Sequence, residues 1–120
     1  MEEAPKPIRW MGSSRKDLQA FPKLVRRHVG QALWAAQRGE QYPTVKALKG
    51  FGDRSVLEIV ADHETNTYRG VYTVRFRGAI YVLHCFQKKS KKGKATPKTD
   101  INLIRIRLAA AEKDYKERQH

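Results

Sequence analysis

Cysteine, acid and long apolar runs are all scarce in this chain, and each scarcity removes a class of protein. Cys85 is the only cysteine among 120 residues, so no internal disulfide can form, and cytoplasmic residence is the simplest expectation. There is no CxxC pair, and His28, His63, His84 and His120 are scattered without metal-ligand spacing, which argues against a zinc site or another bound metal. No Gly-rich loop ends in Lys-Ser or Lys-Thr, so a P-loop is excluded and no cofactor is expected. No apolar stretch reaches membrane-spanning length and residues 1–20 lack the apolar core of a secretory signal, so no membrane association is expected. Acid is the most telling shortage. Twelve Asp and Glu stand against 25 Lys and Arg, giving a formal net charge of +13 and a pI near 10.2. RNA, DNA or an acidic protein is the partner such a balance suits; solubility alone is the plainer alternative.

What is present fits one domain spanning 1–120. Residues 1–7 read as a loose N-terminus and 8–12 as a first strand. Leu18, Phe21, Val25, Val29, Ala32 and Ala36 recur at spacings of three or four, which predicts a helical stretch over 14–38. Pro22 breaks it into two pieces and Gly39 stops it. Residues 40–54 show no period and read as a loop. Strands are expected over 55–62, 67–76 and 79–87, a stretch free of proline from 44 to 96. Arg77-Gly78 is placed for a tight hairpin. A basic loop over 88–98 leads to a last helix over 99–118, with Thr99 as N-cap, Asp100 at the positive end of its dipole, and an apolar stripe of Ile101, Ile104, Leu108, Ala111 and Tyr115. The fold class is α+β: an N-terminal strand, a helical hairpin, a three-stranded antiparallel meander and a C-terminal helix, with helices over one sheet face.

The strand over 67–76 alternates Tyr68, Tyr72, Val74 and Phe76 with Arg69, Thr73, Arg75 and, just beyond, Arg77. If the aromatic set lies under the helices, the arginines emerge on the other face. The next strand ends at Phe86-Gln87-Lys88-Lys89, and Lys46, Lys49 and Arg54 sit in or beside the preceding loop. Together they describe an open, basic, partly aromatic surface of the kind that neutralises phosphates and stacks unpaired bases. Lys91, Lys92, Lys94 and Lys98 either gather RNA by charge or form only a solvated loop; Arg75 and Arg77 are either contacts or plain exposed strand positions. Trp10, Trp34 and His84 read as core, and Cys85 as a small buried strand residue. Metal-free RNA cleavage suits such a surface, because the substrate carries its own 2′-hydroxyl nucleophile and the protein need only align it and stabilise charge. A lysine crowded by other cations has its pKa lowered and can also move protons.

"TYRGVY" followed by "YVLHCFQKKSKKGKATPKTDI", preceded by "VKALKGFGDRSVLEI" and ending in an Ala-rich helix, resembles the phage-derived HigB-like branch of the RelE/ParE toxin superfamily over residues 6–115. The resemblance implies the toxin of a type II toxin–antitoxin pair, a ribosome-dependent endoribonuclease that cuts mRNA in the ribosomal A site, with a helix-turn-helix (HigA-like) antitoxin as partner. It implies that Arg69 faces the scissile phosphate, that Lys88 and Lys89 stabilise transition-state charge, and that Lys49 is the basic residue of the Leu-Lys-Gly turn. The chain departs from RelE proper by carrying Glu58 where lysines stand, and by lacking a tyrosine after the basic pair. Glu58 is either the general base or the ion-pair partner of Arg69 or Arg75. A ParE-like gyrase inhibitor and a noncatalytic RNA- or DNA-binding module are the alternative functions.

Overall fold

The structure, a computed structural model, describes residues 4–88 and 96–119. Its elements in chain order are β1 (Ile8–Trp10), α1 (Ser14–Gln19), α2 (Lys23–Gln37), β2 (Val45–Ala47), β3 (Val56–His63), β4 (Asn66–Thr73), β5 (Ile80–Lys88) and α3 (Lys98–Arg118). The expected α+β class holds, and the helical stretch breaks at Pro22 as its missing amide requires. Helix α2 stops at Gly39, whose φ is +78°; the Gly39 amide bonds Ala36 O and the Glu40 amide bonds Ala35 O, the paired closure that a left-handed glycine permits.

The sheet is larger than the expected meander. It has five strands in the order β1-β5-β4-β3-β2, with β1 parallel to β5 and the other pairs antiparallel. Strand β2 lies inside the stretch read as a loop; three residues are too few to show a period, and only pairing with Leu57–Ile59 reveals it. Nor do the helices share one face. Val25, Val29, Ala32, Leu33 and Ala36 of α2 pack on Leu57, Ile59, Ala61, Tyr68 and Tyr72. The α3 stripe of Ile101, Ile104, Leu108, Ala111 and Tyr115 packs instead with Val56, Val71, Tyr81, Leu83 and Phe86. The sheet is therefore covered on both sides, which explains why β5 is apolar on both parities.

Strand β4 ends at Thr73, three residues early, after a register shift between Val71 and Tyr72. The Thr73 hydroxyl donates to Ser55 O and accepts from the Arg75 amide, bending the chain out of the sheet. Val74 is left exposed and Phe76 turns into the α3 cluster, against Tyr81 and Tyr115. Gly78, with φ +86°, completes the turn into β5. Helix α3 starts after Pro97 rather than Thr99, with no side-chain cap, and carries Asp100 in its first turn. Trp34, read as core, is 47% exposed on the outer side of α2. No helix among the described residues is long and apolar enough to cross a membrane.

Candidate functional site

Register creates the site. Antiparallel pairing sets Glu58 opposite Val71 and Arg69 opposite Val60, so Glu58 and Arg69 are diagonal neighbours on the sheet face that α3 covers. The Arg69 guanidinium donates through Nη1 to Glu58 Oε1 at 2.7 Å. Thr96, just before α3, donates its hydroxyl to Glu58 Oε2, also at 2.7 Å. Both carboxylate oxygens are thus engaged, with the Glu58 side chain 1% and the Arg69 side chain 6% exposed. Of the two partners that sequence left open for Glu58, Arg69 is the one. The expectation that Arg69 stands on an open face is corrected, because α3 and Thr96 just before it lie over that face.

Lys88, the last residue of β5, pairs with Thr67 and is buried. Its ammonium is held below the ordinary lysine pKa, first by desolvation and then by the positive charge of Arg69; Glu58 pulls in the other direction and Lys46 adds to the lowering. Lys46 is exposed on β2 and is the cross-strand partner of Glu58. Three cations therefore surround one carboxylate.

The other basic residues divide. Lys49 and Arg54 are exposed in the loop joining β2 to β3, on the rim and without an ion pair among the described residues. Arg75 does not join the cluster. Its guanidinium bonds Phe51 O, Ser55 Oγ and Asp53 Oδ1, tying the loop over 51–55 to the end of β4; the bend at Thr73 removed it from the alternation that would have placed it beside Arg69. Arg77 is exposed in the turn. Lys89, Lys91, Lys92 and Lys94 lie outside the described residues.

Two features were missed in the sequence. Thr96 was legible only as half of a Thr-Pro pair before a helix, with nothing to say that its hydroxyl reaches Glu58. The second is a buried knot around His84. Its Nε2 is 2.7 Å from Asp100 Oδ1 and its Nδ1 is 3.3 Å from Arg107 Nη1. Arginine can only donate, so Nδ1 accepts and the Nε2 hydrogen is assigned toward Asp100. Phe86 stacks on the imidazole at 4.6 Å and 15°. His84 is thus a satisfied core residue, as its apolar neighbours suggested, and it ties the first turn of α3 to the site. The Cys85 thiol is buried and pushed up to about 12 by desolvation, so it stays neutral and unreactive. Among the described residues, no group of three or more His, Cys, Asp and Glu is placed to hold a metal ion.

Comparison with known proteins shows a family. The family model described as phage derived protein Gp49-like (DUF891) matches residues 16–109, and the chain belongs to that family. No curated protein matches the chain in sequence. Among solved structures, a chain of the toxin–antitoxin complex RelBE2 from Mycobacterium tuberculosis is similar at 18% identity and a TM-score of 0.47, over 74% of this chain and 98% of that one.

Proposed function

We propose that this member of the Gp49-like family is the toxin of a type II toxin–antitoxin pair, of the HigB-like kind, and that it cleaves mRNA in the ribosomal A site without a metal. The observation that carries this reading is the gathering of Arg69, Lys88 and Lys46 around Glu58 at one end of the sheet. Family resemblance names Arg69 and the basic pair as the working groups, and the fold brings Arg69 and Lys88 together.

In this reading Arg69, buried beside Glu58, faces the scissile phosphate and acts on it through its fixed positive charge. Glu58, with both oxygens occupied, acts by holding that guanidinium in place. The 2′-hydroxyl loses its proton, its oxygen forms a bond to phosphorus, and the bond from phosphorus to the 5′-oxygen breaks as that oxygen takes up a proton. The products are a 2′,3′-cyclic phosphate and a 5′-hydroxyl. Lys88, with Lys89 next in sequence, offsets the charge that builds on the phosphorane. Lys46, Lys49, Arg54 and the lysines after Lys89 gather the polyanion. The partners are the ribosome, mRNA and an acidic segment of a helix-turn-helix antitoxin, in the cytoplasm.

Expression in bacteria without antitoxin tests this reading, with primer extension on the host mRNA. Growth arrest with new 5′ ends inside codons is the expected result. Intact transcripts with altered DNA supercoiling would replace it with gyrase inhibition, and intact transcripts without toxicity would leave a binding module.

A further inference from the structure

The same two strands that present Arg69 and Lys88 to one face present a cavity to the other. Tyr68 and Gln87 are cross-strand partners in β4 and β5, each one residue before a member of the basic cluster. Successive strand residues face opposite ways, so this pair looks toward α1 while Arg69 and Lys88 look toward α3. Asp17, Phe21, Tyr68, Phe86 and Gln87 contribute to the lining of a cavity of about 510 Å³, within the size range of small-ligand sites. Strand β1 pairs with β5 only from Ile80 to Val82. Among the described residues, the end of β5 that carries Phe86, Gln87 and Lys88 is therefore a sheet edge, past which a nucleotide chain would run from one face to the other.

The lining chemistry limits the occupant. Phe21 and Tyr68 lie 4.9 Å apart with their planes tilted by 58°, offering aromatic surface to a flat ring. Among the described residues no lysine or arginine lines the cavity, and the Asp17 carboxylate, beside the neutral Cys85 thiol, disfavours a phosphate there. Asp17 Oδ2 accepts from the Ser13 hydroxyl; the half-buried Asp17 carboxylate and the exposed Gln87 side chain remain open to a ligand in the cavity. A carboxylate can only accept, so it rewards a ligand that brings N–H donors.

We infer that this cavity receives the base of a nucleotide adjoining the cleaved linkage and selects bases bearing an exocyclic amino group over uracil, an inference that rests on the RNA-cleavage reading. Cytosine and uracil test the idea at C4, where cytosine has an amino donor and uracil an oxygen acceptor; uracil's own donor, N3–H, is flanked by two carbonyl oxygens that a carboxylate repels.

The test titrates the full chain with CMP, UMP and ribose 5-phosphate, following amide shifts by NMR. CMP should bind roughly tenfold more tightly than UMP, the scale of one good base contact, with shifts at Tyr68 and Gln87. Asp17→Asn and Gln87→Ala, checked for folding by thermal melts, should each shrink that gap while leaving ribose 5-phosphate affinity unchanged. Equal affinity for CMP and UMP in the parent chain, or a gap that survives both substitutions, overturns the inference. Lys88→Ala separates it from the cleavage reading. Weakening of all three ligands by that change, without base discrimination, sinks the pocket and keeps the phosphate site. Base discrimination indifferent to Lys88→Ala keeps the pocket and sinks the phosphate site.

Discussion

Arg69 and Glu58 form a buried ion pair, Nη1 to Oε1 at 2.7 Å, diagonal across β4 and β3. Such a pair stabilises little by itself, since each charge loses its hydration, but leaving one member alone is costly. Arg69→Ala or Glu58→Ala should lower unfolding free energy by about 3–5 kcal/mol, read by urea denaturation. Replacing both with apolar residues, as in Arg69→Met with Glu58→Leu, should recover most of that loss. The double variant should still fail to cleave RNA, which would separate the pair's role in folding from the role proposed for the guanidinium at phosphate.

Lys88 gives a pH signature. Its folded-state pKa lies below the ordinary 10.5, so in the window between the two values the unfolded chain binds more protons and stability rises with pH. RNA affinity moves the other way, falling as pH climbs through the depressed value and the ammonium is lost. Lys88→Arg should flatten the affinity profile, because guanidinium stays charged; fluorescence titration of a short RNA across pH 7–10 checks it. Affinity should also fall steeply with salt through counterion release.

Arg75 should behave as a structural residue. Arg75→Ala removes bonds to Phe51 O, Ser55 Oγ and Asp53 Oδ1, for a loss of about 1–2 kcal/mol by the usual worth of such bonds, with RNA affinity essentially unchanged. The Asp53 carboxyl is held below its ordinary 3.8 by hydrogen bonds from Ser55 and by Arg75. Its contribution is present above 3.8 and is lost as pH falls through the folded value. Thermal melts at neutral and strongly acidic pH should therefore show the Arg75→Ala penalty shrinking in acid.

Thr96→Val tests the clasp over the site. The change leaves Glu58 Oε2 without its donor, at about 1–3 kcal/mol for an acceptor so stranded. Hydrogen exchange should speed up at the start of α3 more than in α2, and equal protection in the parent and Thr96→Val chains would show that Thr96 holds nothing in place.

The elements that were legible in sequence are those whose residues carry a local signal. Pro22 and Gly39 punctuate the helices, the α3 stripe repeats at helical spacing, and β5 is apolar throughout. Strand β2 and the parallel partnership of β1 with β5 carry no such signal, being short segments defined by a distant neighbour. The site divides in the same way. Arg69 and Lys88 were found by alternation and resemblance, and Glu58 by its sign among cations. The bend at Thr73 took Arg75 out of the cluster, because hydrogen bonds to Ser55 outweighed an alternation that looked unbroken. Thr96 and the Asp100–His84–Arg107 knot depend on tertiary approach alone, which no spacing records.

The central claim is that Arg69 and Lys88 converge on one RNA linkage whose own 2′-hydroxyl is the nucleophile. The most direct measurement presents ribosome-bound transcripts that differ only at the target nucleotide, one with ribose and one with 2′-deoxyribose, to the purified chain. The ribose transcript should be cut to a 2′,3′-cyclic phosphate by the parent chain and by neither Arg69→Ala nor Lys88→Ala, with the deoxy transcript left whole. Cleavage of the deoxy transcript at the same position, or undiminished cleavage by a folded Lys88→Ala chain, would contradict the account.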